Sequence, residues 1–363
     1  MFSRPLLILA AALAVSAQTP SGRVDMPKDS PVTMVSIDWS GSRATPRGSA
    51  YLVDVHASLA LRNSSQKHVR GVTLEVLAQE VTPGGKGAVK VPSLDIAPND
   101  TFSVRIDETL LRPLGGGQGA PMVEVRLDGV LFDDLTFFGP DKLNSQRDMT
   151  VWEMEARRDR RYFKALLDAR GRDALQNEMI ASLNRQAETS QPGVQVVRGR
   201  ATNADPEHEM QFAFLRVPDA PVEAATGVAR VTTNEAWAPR FDVRNLSKHP
   251  VRYMEISWIV KDQAGNEFLA ASLPAELSLA PGQSGRIVQD AALKFPDRVS
   301  IQGMKGFVST VGFGDGSYWI PSREAIVEPQ IRNLVAPSPE EQRLLQIYRK
   351  KGMDALIQEL KKF

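Results

Sequence analysis

Alternating apolar and polar residues predict several short β-strands along the chain. Between Leu52 and Arg62 every second side chain is apolar, as expected for a strand with one buried face. A turn sequence, NSSQ, follows at residues 63–66, and a second alternation follows over Val72–Val76. Short alternations return after Phe241, where they are separated by turn signals typical of β-sandwiches. These turn signals are Gly265-Asn266, Pro281-Gly282 and Asp315-Gly316.

Each strand-rich region is followed by apolar residues at helical spacing. The first helical pattern covers Met149–Leu167 and resumes after Gly171. The second begins at Ser338-Pro339-Glu340-Glu341, where Ser and Glu form a capping box and proline occupies the first helical position. Gly352 interrupts this second pattern. Because glycine terminates helices, the sequence predicts a helical hairpin after each group of strands.

Four matching segments indicate that the chain is a tandem duplication. The stretch NSSQKHVRGVTLEV at 63–76 aligns without gaps with NLSKHPVRYMEISW at 245–258, 182 residues later. Three further pairs keep nearly the same offset and the same order. They are IAPND with LAPGQ (offset 183), DDLTFF with DGSYWI (offset 182), and GRDALQNEM with GMDALIQEL (offset 181).

The predicted fold class is mainly β with α appendages: two tandem immunoglobulin-like β-sandwich domains, each followed by a helical hairpin. A duplicated sandwich with appended helices implies the following division of the sequence. The predicted parts are a signal peptide (1–17), a flexible lead (18–31), β-sandwich copy 1 (32–141), helical hairpin 1 (142–189), β-sandwich copy 2 (190–322), an extended linker (323–337) and helical hairpin 2 (338–363).

The N-terminal residues have the layout of a secretory signal peptide. Arg4 precedes an apolar run from Leu6 to Val15, and small residues allow cleavage after Ala17. The run is shorter than the ~20 residues of a typical transmembrane helix, although retention as a membrane anchor stays open. The chain is therefore expected to be exported, to the periplasm or the extracellular space.

Composition narrows the possible chemistry. The sequence contains no cysteine, which excludes disulfides, thiolate catalysis and cysteine zinc sites. Lys and Arg number 44 against 43 Asp and Glu, and Arg4 lies in the predicted signal peptide. The remaining charges balance, which does not favour a polyanionic ligand. Together with the predicted export, this balance argues against nucleic acid as a partner, and no motif implies a cofactor.

The second copy resembles the exported bacterial immunoglobulin-like modules of the FxLYD and CARDB kind. The resemblance lies in FDVRNLSKHPVRYMEISWIVKDQAGNEF and LSLAPGQSGRI, within Phe241–Asp290, and more faintly in the first copy. It covers a strand, an Asn-x-Ser turn, a Pro-Val strand, an Asp-x-x-Gly turn and a Leu-Ala-Pro-Gly turn. It implies an immunoglobulin-like fold and a binding, spacer or envelope role, without shared catalytic residues.

The catalytic and metal-binding motifs that were sought are incomplete. His208-Glu209 starts an HExxH-like string, but Phe212 stands where the second histidine is needed. The chain has no G-x-S-x-G nucleophile elbow, and GGGQG at 115–119 lacks the residues of a phosphate loop. Asp133-Asp134 is expected to form a turn and not a calcium site. His68 and His249 are expected to be exposed turn residues.

One basic cluster, RRDRR at 157–161, is the strongest candidate for a partner surface. It is expected to contact a protein or envelope partner, and peripheral contact with anionic lipid headgroups stays open. The alternative is a solvated helix face neutralised by Glu153, Glu155 and Asp159. The candidate surface residues are Trp152, Arg157, Arg158, Arg161 and Tyr162.

The sequence favours a non-enzymatic, exported binding or scaffold protein of the cell envelope. The alternative is a carbohydrate-active hydrolase with a site between the two modules, which would need a deep pocket with convergent titratable groups. A third possibility is a subunit that docks its C-terminal helical segment, 338–363, onto a membrane protein.

Overall fold

The structure is a computed structural model that describes residues 20–114, 121–188, 193–198, 206–327 and 329–363. The predicted signal peptide, the GGGQG segment at 115–119 and residues 190–192 at the start of the predicted second β-sandwich lie outside the described residues. The chain divides into two compact units, Met1–Glu153 and Met154–Phe363. The architecture is mainly β with some α-helix, as the sequence predicts. Among the described residues it has several sheets, and two long helices lie where the sequence predicted helical hairpins.

The first unit contains two sheets built from nine strands within its described part. The strands are β1 (Gly22–Asp25), β2 (Val32–Asp38), β3 (Arg43–Arg47), β4 (Ala50–Asn63), β5 (Val69–Leu77), β6 (Lys86–Val91), β7 (Thr101–Pro113), β8 (Val123–Phe132) and β9 (Phe137–Phe138).

The two sheets of the first unit pack on one shared core. One sheet has the order β2-β4-β3, with β7 paired along the other edge of β4, and the second has the order β1-β8-β5-β6, with β9 on β8. Alternation along β4 places Val55 and Leu59 in the core, where they meet Leu74 of β5 and Val125 of β8. Two layers around one core are consistent with a β-sandwich.

Strand β1 lies within residues 18–31, where the sequence predicted a flexible lead. It pairs in parallel with β8, Gly22 opposite Val123 and Asp25 opposite Arg126. Four residues are too few for alternation to reveal a strand, and the pairing depends on an exposed edge of β8 that is distant in sequence.

The second unit contains ten strands, which hydrogen-bond in one continuous path across its described residues. The order is β10-β17-β13-β12-β11-β18-β14-β15, with β16 on β13 and β19 on β18. Its core centres on Trp258, Phe241 and Phe295, all buried. The strands are β10 (Gln195–Arg198), β11 (His208–Phe214), β12 (Val222–Val231), β13 (Glu235–Asn245), β14 (Val251–Asp262), β15 (Glu267–Leu279), β16 (Ser284–Val288), β17 (Ala291–Lys294), β18 (Ile301–Phe313) and β19 (Tyr318–Trp319).

The two units share a pattern of strand pairing. In the first, β5 lies between β6 and β8; in the second, β14 lies between β15 and β18. Strand β8 also pairs in parallel with β1 and antiparallel with β9, as β18 does with β11 and β19. Strand β4 pairs with β2 and β7, as β13 does with β12 and β16. Corresponding strands thus occur in the same order in both units.

The turn after β4 is held by the buried side chain of Asn63. Its Nδ2 donates to the carbonyl oxygens of Lys67 (2.8 Å) and Ile96 (3.0 Å). Its Oδ1 accepts from the backbone N–H (3.0 Å) and the hydroxyl (2.7 Å) of Ser65. The predicted Asn-Ser turn is therefore confirmed, with all four hydrogen bonds of the amide used.

Asn245 makes the same four bonds in the second unit. Its Nδ2 donates to the carbonyl oxygens of His249 (2.9 Å) and Leu279 (3.1 Å). Its Oδ1 accepts from the backbone N–H (2.9 Å) and the hydroxyl (2.7 Å) of Ser247. The predicted offsets of 182 residues at the turn and 183 at the Ala-Pro turn are the offsets at which the bonding groups correspond.

The hairpin at Asp133-Asp134 differs by one residue from its predicted register. Asp134 accepts from the backbone N–H (3.0 Å) and the hydroxyl (2.6 Å) of Thr136, as Asp315 accepts from Ser317 at 3.0 and 2.6 Å. The partner of Asp134 is therefore Asp315, at an offset of 181. The predicted offset of 182 pairs Asp133 with Asp315, because the identity of the aspartates alone cannot distinguish the two registers.

The helices follow the strands in each region. Helix α1 covers Ser145–Glu188, and Gly171 within it has φ 80°, ψ −174°. A 3₁₀ turn (Ala325–Val327) and helix α2 (Pro329–Arg332) precede helix α3 (Pro339–Leu360), in which Gly352 has φ 84°, ψ −179°. Each glycine thus breaks its helix in a conformation that L-residues rarely adopt, which agrees with the predicted interruption.

The segment 323–337, predicted to be an extended linker, contains the 3₁₀ turn and α2. Ala325 and Ile331 in this segment are buried against Ile259 and Phe307 of the second unit. Two isolated apolar residues carry no periodic signal, so burial of this segment could not be inferred from the local sequence.

Helices α1 and α3 pack against each other within the second unit. Their apolar side chains form one buried cluster that includes residues on both sides of each glycine break. The cluster stabilises the two broken helices jointly, because neither buries its apolar face alone. The buried members are Phe163, Leu175, Met179, Leu344, Leu345, Met353, Leu356 and Leu360.

Candidate functional site

Helix α3 begins at a cap that joins it to α1. Ser338 accepts a hydrogen bond from the backbone N–H of Glu341 (3.1 Å), which confirms the predicted N-cap. Its hydroxyl donates to Asp159 of α1 (2.5 Å). The Glu341 side chain does not complete the capping box at Ser338, since both of its oxygens bind Arg323.

Arg323 is the centre of a buried ionic network. Its two Nη atoms lie 2.6 and 3.0 Å from the carboxylate of Glu341, and Nη1 also lies 3.2 Å from Asp159. Burial opposes the charge of Arg323, but the ion pairs with Glu341 and Asp159 outweigh it and raise its pKa. Burial opposes the charge of Glu341 likewise, and Arg323, Ser182 and Arg185 outweigh it, so the pKa of Glu341 is lowered. Both groups are therefore charged at neutral pH.

Two further arginines share a third carboxylate. Arg185 lies 3.3 Å from both Glu178 and Glu341, and Arg332 lies 3.1 Å from Glu178. Arg185 is mostly buried, whereas the side chain of Arg332 is 42% exposed. The network thus extends from a buried centre at Arg323 to an exposed guanidinium at Arg332.

A cavity of about 130 Å³ lies beside this network. Its lining is unusually rich in guanidinium groups, which form planar, two-donor contacts with carboxylates and phosphates. Tyr162 faces the same space, and burial raises the pKa of its hydroxyl. The lining includes Arg158, Tyr162, Arg185, Arg323, Arg332 and Glu341.

A second, more open depression adjoins the same arginines. It has a volume of about 370 Å³, and its lining includes Arg158, Arg161, Tyr162, Arg323 and Glu324. Three guanidinium groups face a single carboxylate there, so the depression has a positive lining suited to an acidic group.

Three of the five residues predicted for a partner surface line these depressions, namely Arg158, Arg161 and Tyr162. Arg157 lies one residue earlier on α1 and is half-buried. Trp152 belongs to the first unit, where Lys90 Nζ lies 5.9 Å from the centre of its ring. Arg158, Arg161 and Tyr162 therefore share one surface region, and Trp152 lines neither depression.

The alternative of a solvated helix face does not describe RRDRR. Asp159 is fully buried, Arg160 is nearly so, and the side chain of Arg158 is 13% exposed. Arg160 lies 3.5 Å from the buried Glu340, and its guanidinium lies 4.2 Å from the centre of the Phe363 ring. Of this cluster only Arg161 is exposed. The arginines are paired with acidic side chains, as expected, but Asp159 and Glu340, which accept these pairs, are buried.

The sequence interpretation missed Arg185, Arg323, Arg332 and Glu341. Two of the arginines lie in the segment 323–337, which was expected to be an extended linker. Packing of α1, α2 and α3 brings Arg323 to Asp159 and Arg332 to Glu178. The one available signal was the density of arginine in α1, which indicated a region and not its partners.

None of the four histidines lines the arginine-lined cavity. His56 is exposed and lies 2.9 Å from Asp107. His249 is exposed, as expected, whereas His68 is half-buried and lies 3.1 Å from Asp95. His208 is exposed on β11. No group of three or more His, Asp or Glu residues that could hold a metal ion occurs among the described residues. Within those residues, no helix combines the length and the apolar character needed to cross a membrane.

The stability of the folded protein is expected to depend on pH through Glu155 of helix α1. Desolvation, with repulsion from Asp159 and Glu255, raises its pKa to about 7 against the attraction of Arg158. Because the folded-state pKa exceeds the ordinary value of 4.5, proton binding favours folding, and this contribution is lost as pH rises from 4.5 through about 7. Glu155→Gln is expected to be more stable than the wild type above pH 7, on the order of 1–2 kcal/mol.

The measurement is urea denaturation of both proteins at about pH 5 and about pH 8, followed by the helical circular dichroism signal. The exposed Asp168 on the same helix supplies the control, Asp168→Asn, which should follow the wild type at both pH values. Parallel curves for Glu155→Gln and the wild type across this range would show that Glu155 does not titrate there.

Comparisons with known proteins add little to this description. No family model matches the chain, and no curated protein matches it. Similar solved structures include β-glucosidase from Kluyveromyces marxianus in complex with glucose (10% identity, 80% of this chain, 48% of that chain, TM-score 0.18). Others are the C-terminal globular domain of an oligosaccharyltransferase from Pyrococcus abyssi (8%, 80%, 48%, 0.16) and red sea bream transglutaminase (9%, 77%, 31%, 0.13). The chain spans less than half the length of each of these three, and similarities of this size carry no argument about fold or function.

Proposed function

We propose that this protein is a non-enzymatic, exported binding or scaffold protein of the cell envelope. Its two strand-rich regions are proposed to be tandem copies of one immunoglobulin-like module, each followed by a helix that is broken at glycine. The shared pairing of strands supports the duplication, as do the matching bonds of Asn63 and Asn245. The matching conformations of Gly171 and Gly352 add a third correspondence.

The arrangement of sheets supports the immunoglobulin-like part of the proposal. In the first unit, β2-β4-β7 forms one layer and β6-β5-β8-β9 the other, and the same order recurs in the second unit as β12-β13-β16 and β15-β14-β18-β19. Three strands facing four, with the first, second and fifth principal strands in one layer, is a pairing typical of immunoglobulin-like sandwiches. Such modules commonly serve as binding or spacer domains.

The observation that carries the binding role is the positive depression on the helix pair. Arg158 and Arg323 are held by acidic neighbours, so their positions are fixed before any partner arrives. Arg161 is exposed beside them, and Tyr162 supplies a half-buried aromatic face. Arginine and tyrosine are enriched at the energetic centres of protein interfaces. The proposed partner is a protein of the envelope that presents an acidic surface.

The proposal is tested by charge reversal at Arg161. Arg161→Glu is expected to reduce cross-links to envelope proteins several-fold in cells, because an acidic partner would meet a like charge. The measurement is in-cell chemical cross-linking, followed by mass spectrometry of the envelope fraction. Arg170→Glu is the matched control, since Arg170 is exposed on the same helix but does not line the depression. Equal cross-linking by both variants would remove the support for this surface.

A further inference from the structure

We propose that the cavity between Tyr162 and Arg332 binds a single carboxylate group. The inference rests on the proposed function and deepens it, because a carboxylate is the group that an acidic protein partner presents. The groups that carry it are the guanidiniums of Arg185, Arg323 and Arg332 and the hydroxyl of Tyr162.

The charges of the network leave room for one anion. Four guanidiniums line the cavity, from Arg158, Arg185, Arg323 and Arg332. Three carboxylates pair with them, those of Asp159, Glu178 and Glu341, and each of these contacts at least two of the arginines. These three carboxylates balance the three buried guanidiniums, those of Arg158, Arg185 and Arg323. Arg332 is therefore the guanidinium without a carboxylate of its own, since it shares Glu178 with Arg185. Glu324 also lines the cavity and is exposed, so water screens its charge as it screens that of Arg332.

The cavity also presents hydrogen-bond donors that have no protein acceptor. Arg332 binds Glu178 through Nη2 alone, which leaves its Nε and Nη1 groups without an acceptor in the described chain. The Tyr162 hydroxyl likewise has no hydrogen-bond partner among the described residues, although Arg323 stacks on its ring at 4.8 Å. Donors that converge on one space without acceptors are suited to a ligand that only accepts hydrogen bonds, as a carboxylate does.

The cavity is large enough for a carboxylate group. Its volume of about 130 Å³ is roughly ten times the ~10–15 Å³ of the same measure that a single water molecule needs. A carboxylate with one or two attached carbons fits that space, where Nη1 of Arg332 and the Tyr162 hydroxyl are available to donate to it. A phosphate dianion would bring two negative charges to a site where one guanidinium, that of Arg332, lacks a carboxylate of its own.

The test measures acetate binding to the purified protein by calorimetry, at constant ionic strength with chloride as the replaced anion. Acetate is expected to bind saturably, and Arg332→Ala is expected to weaken binding about tenfold. Tyr162→Phe should weaken it by a smaller factor, because it removes one neutral donor. Arg172→Ala, which removes an exposed arginine that is paired with Asp354 outside the cavity, should bind acetate as the wild type does.

Arg332→Lys guards against a structural effect, because it keeps the charge beside Glu178 but has no second nitrogen that could donate to a ligand. It should unfold at the wild-type urea concentration and still bind acetate several-fold more weakly. Non-saturable acetate binding, or equal losses in Arg332→Ala and Arg172→Ala, would overturn the proposal. Tighter binding of inorganic phosphate than of acetate would overturn the assignment to carboxylates. Acetate binding needs no cellular partner, so its failure is distinguishable from a failure of the cross-linking test.

Discussion

Replacing Glu341 with alanine is expected to destabilise the second unit by about 3–5 kcal/mol, because it leaves buried cations without their counterion. The Glu341 side chain is 4% exposed and binds both Nη atoms of Arg323. It also accepts hydrogen bonds from Ser182 and Arg185. Removing it takes the closest acceptor from the mostly buried guanidinium of Arg323 and, within the described chain, the only acceptor from the buried hydroxyl of Ser182. No comparable carboxylate can replace it, since Asp159 is already shared between Arg158 and Arg323.

Urea denaturation followed by the helical circular dichroism signal measures this loss. The matched control is Asp354→Ala, which removes a carboxylate from the same helix. Asp354 is 83% exposed and forms one ion pair, with Arg172, so its removal should cost less than about 1 kcal/mol. Glu341→Gln should fall between the two, because the amide keeps the shape and some of the hydrogen bonds but loses the charge. Similar midpoints for Glu341→Ala and Asp354→Ala would mean that the buried network does not stabilise the unit.

The stabilisation by the Glu341 carboxylate is expected to depend on pH. The pKa of Glu341 is held below its ordinary value of 4.5, so the stabilisation is present above that pH and is lost as the pH falls further. Glu341→Ala should lack this loss. The difference between the variant and the wild type is therefore expected to narrow in acid.

The sequence predicted the strands and turns well because those elements are specified locally. Alternation along β4 and the turn chemistry of Asn63 depend on neighbours within a few residues. The similarity of residues 63–76 to residues 245–258 made this prediction stronger, since the same local pattern occurred twice. The glycine breaks at Gly171 and Gly352 were predictable for the same reason, because glycine readily adopts the positive φ found there.

The candidate site could be predicted only in part. The density of arginine in α1 was visible, but burial of Asp159 and Arg160 was not, because their partners lie about 180 residues away in α3. A charged helix face and a buried ionic network have the same local sequence signal. Long-range packing decides between them, and no local pattern in the segment 323–337 indicates that Arg323 would meet Glu341.

The second large effect is expected at the amides of the repeated turn. Asn63→Ala and Asn245→Ala should each destabilise their unit by about 2–4 kcal/mol. Both side chains are 0% exposed, and each amide satisfies two carbonyl oxygens and one backbone N–H. Alanine leaves these groups buried without partners, and water cannot replace the lost amide without opening the turn.

Aspartate variants separate the two halves of each network. Asn63→Asp and Asn245→Asp keep the oxygen that accepts from serine, but they place a carboxylate where the amide donated to two carbonyl oxygens. They should therefore be at least as destabilising as alanine at neutral pH, and should recover part of the loss at low pH, where a protonated carboxyl donates one hydrogen bond.

Urea denaturation of the six proteins, wild type included, checks this prediction, with Asn266→Ala as the sixth and the control. Asn266 lies in another turn of the second unit, where its exposed amide donates to Asp262 at 3.1 Å, so its loss should cost less than about 1 kcal/mol. Losses at Asn63 and Asn245 no larger than at Asn266 would contradict the role assigned to the buried amides. Because Asn63 and Asn245 make the same four hydrogen bonds, their loss should cost a similar free energy of unfolding in both units. A large loss at only one of them would show that the shared geometry does not give the two amides the same energetic role.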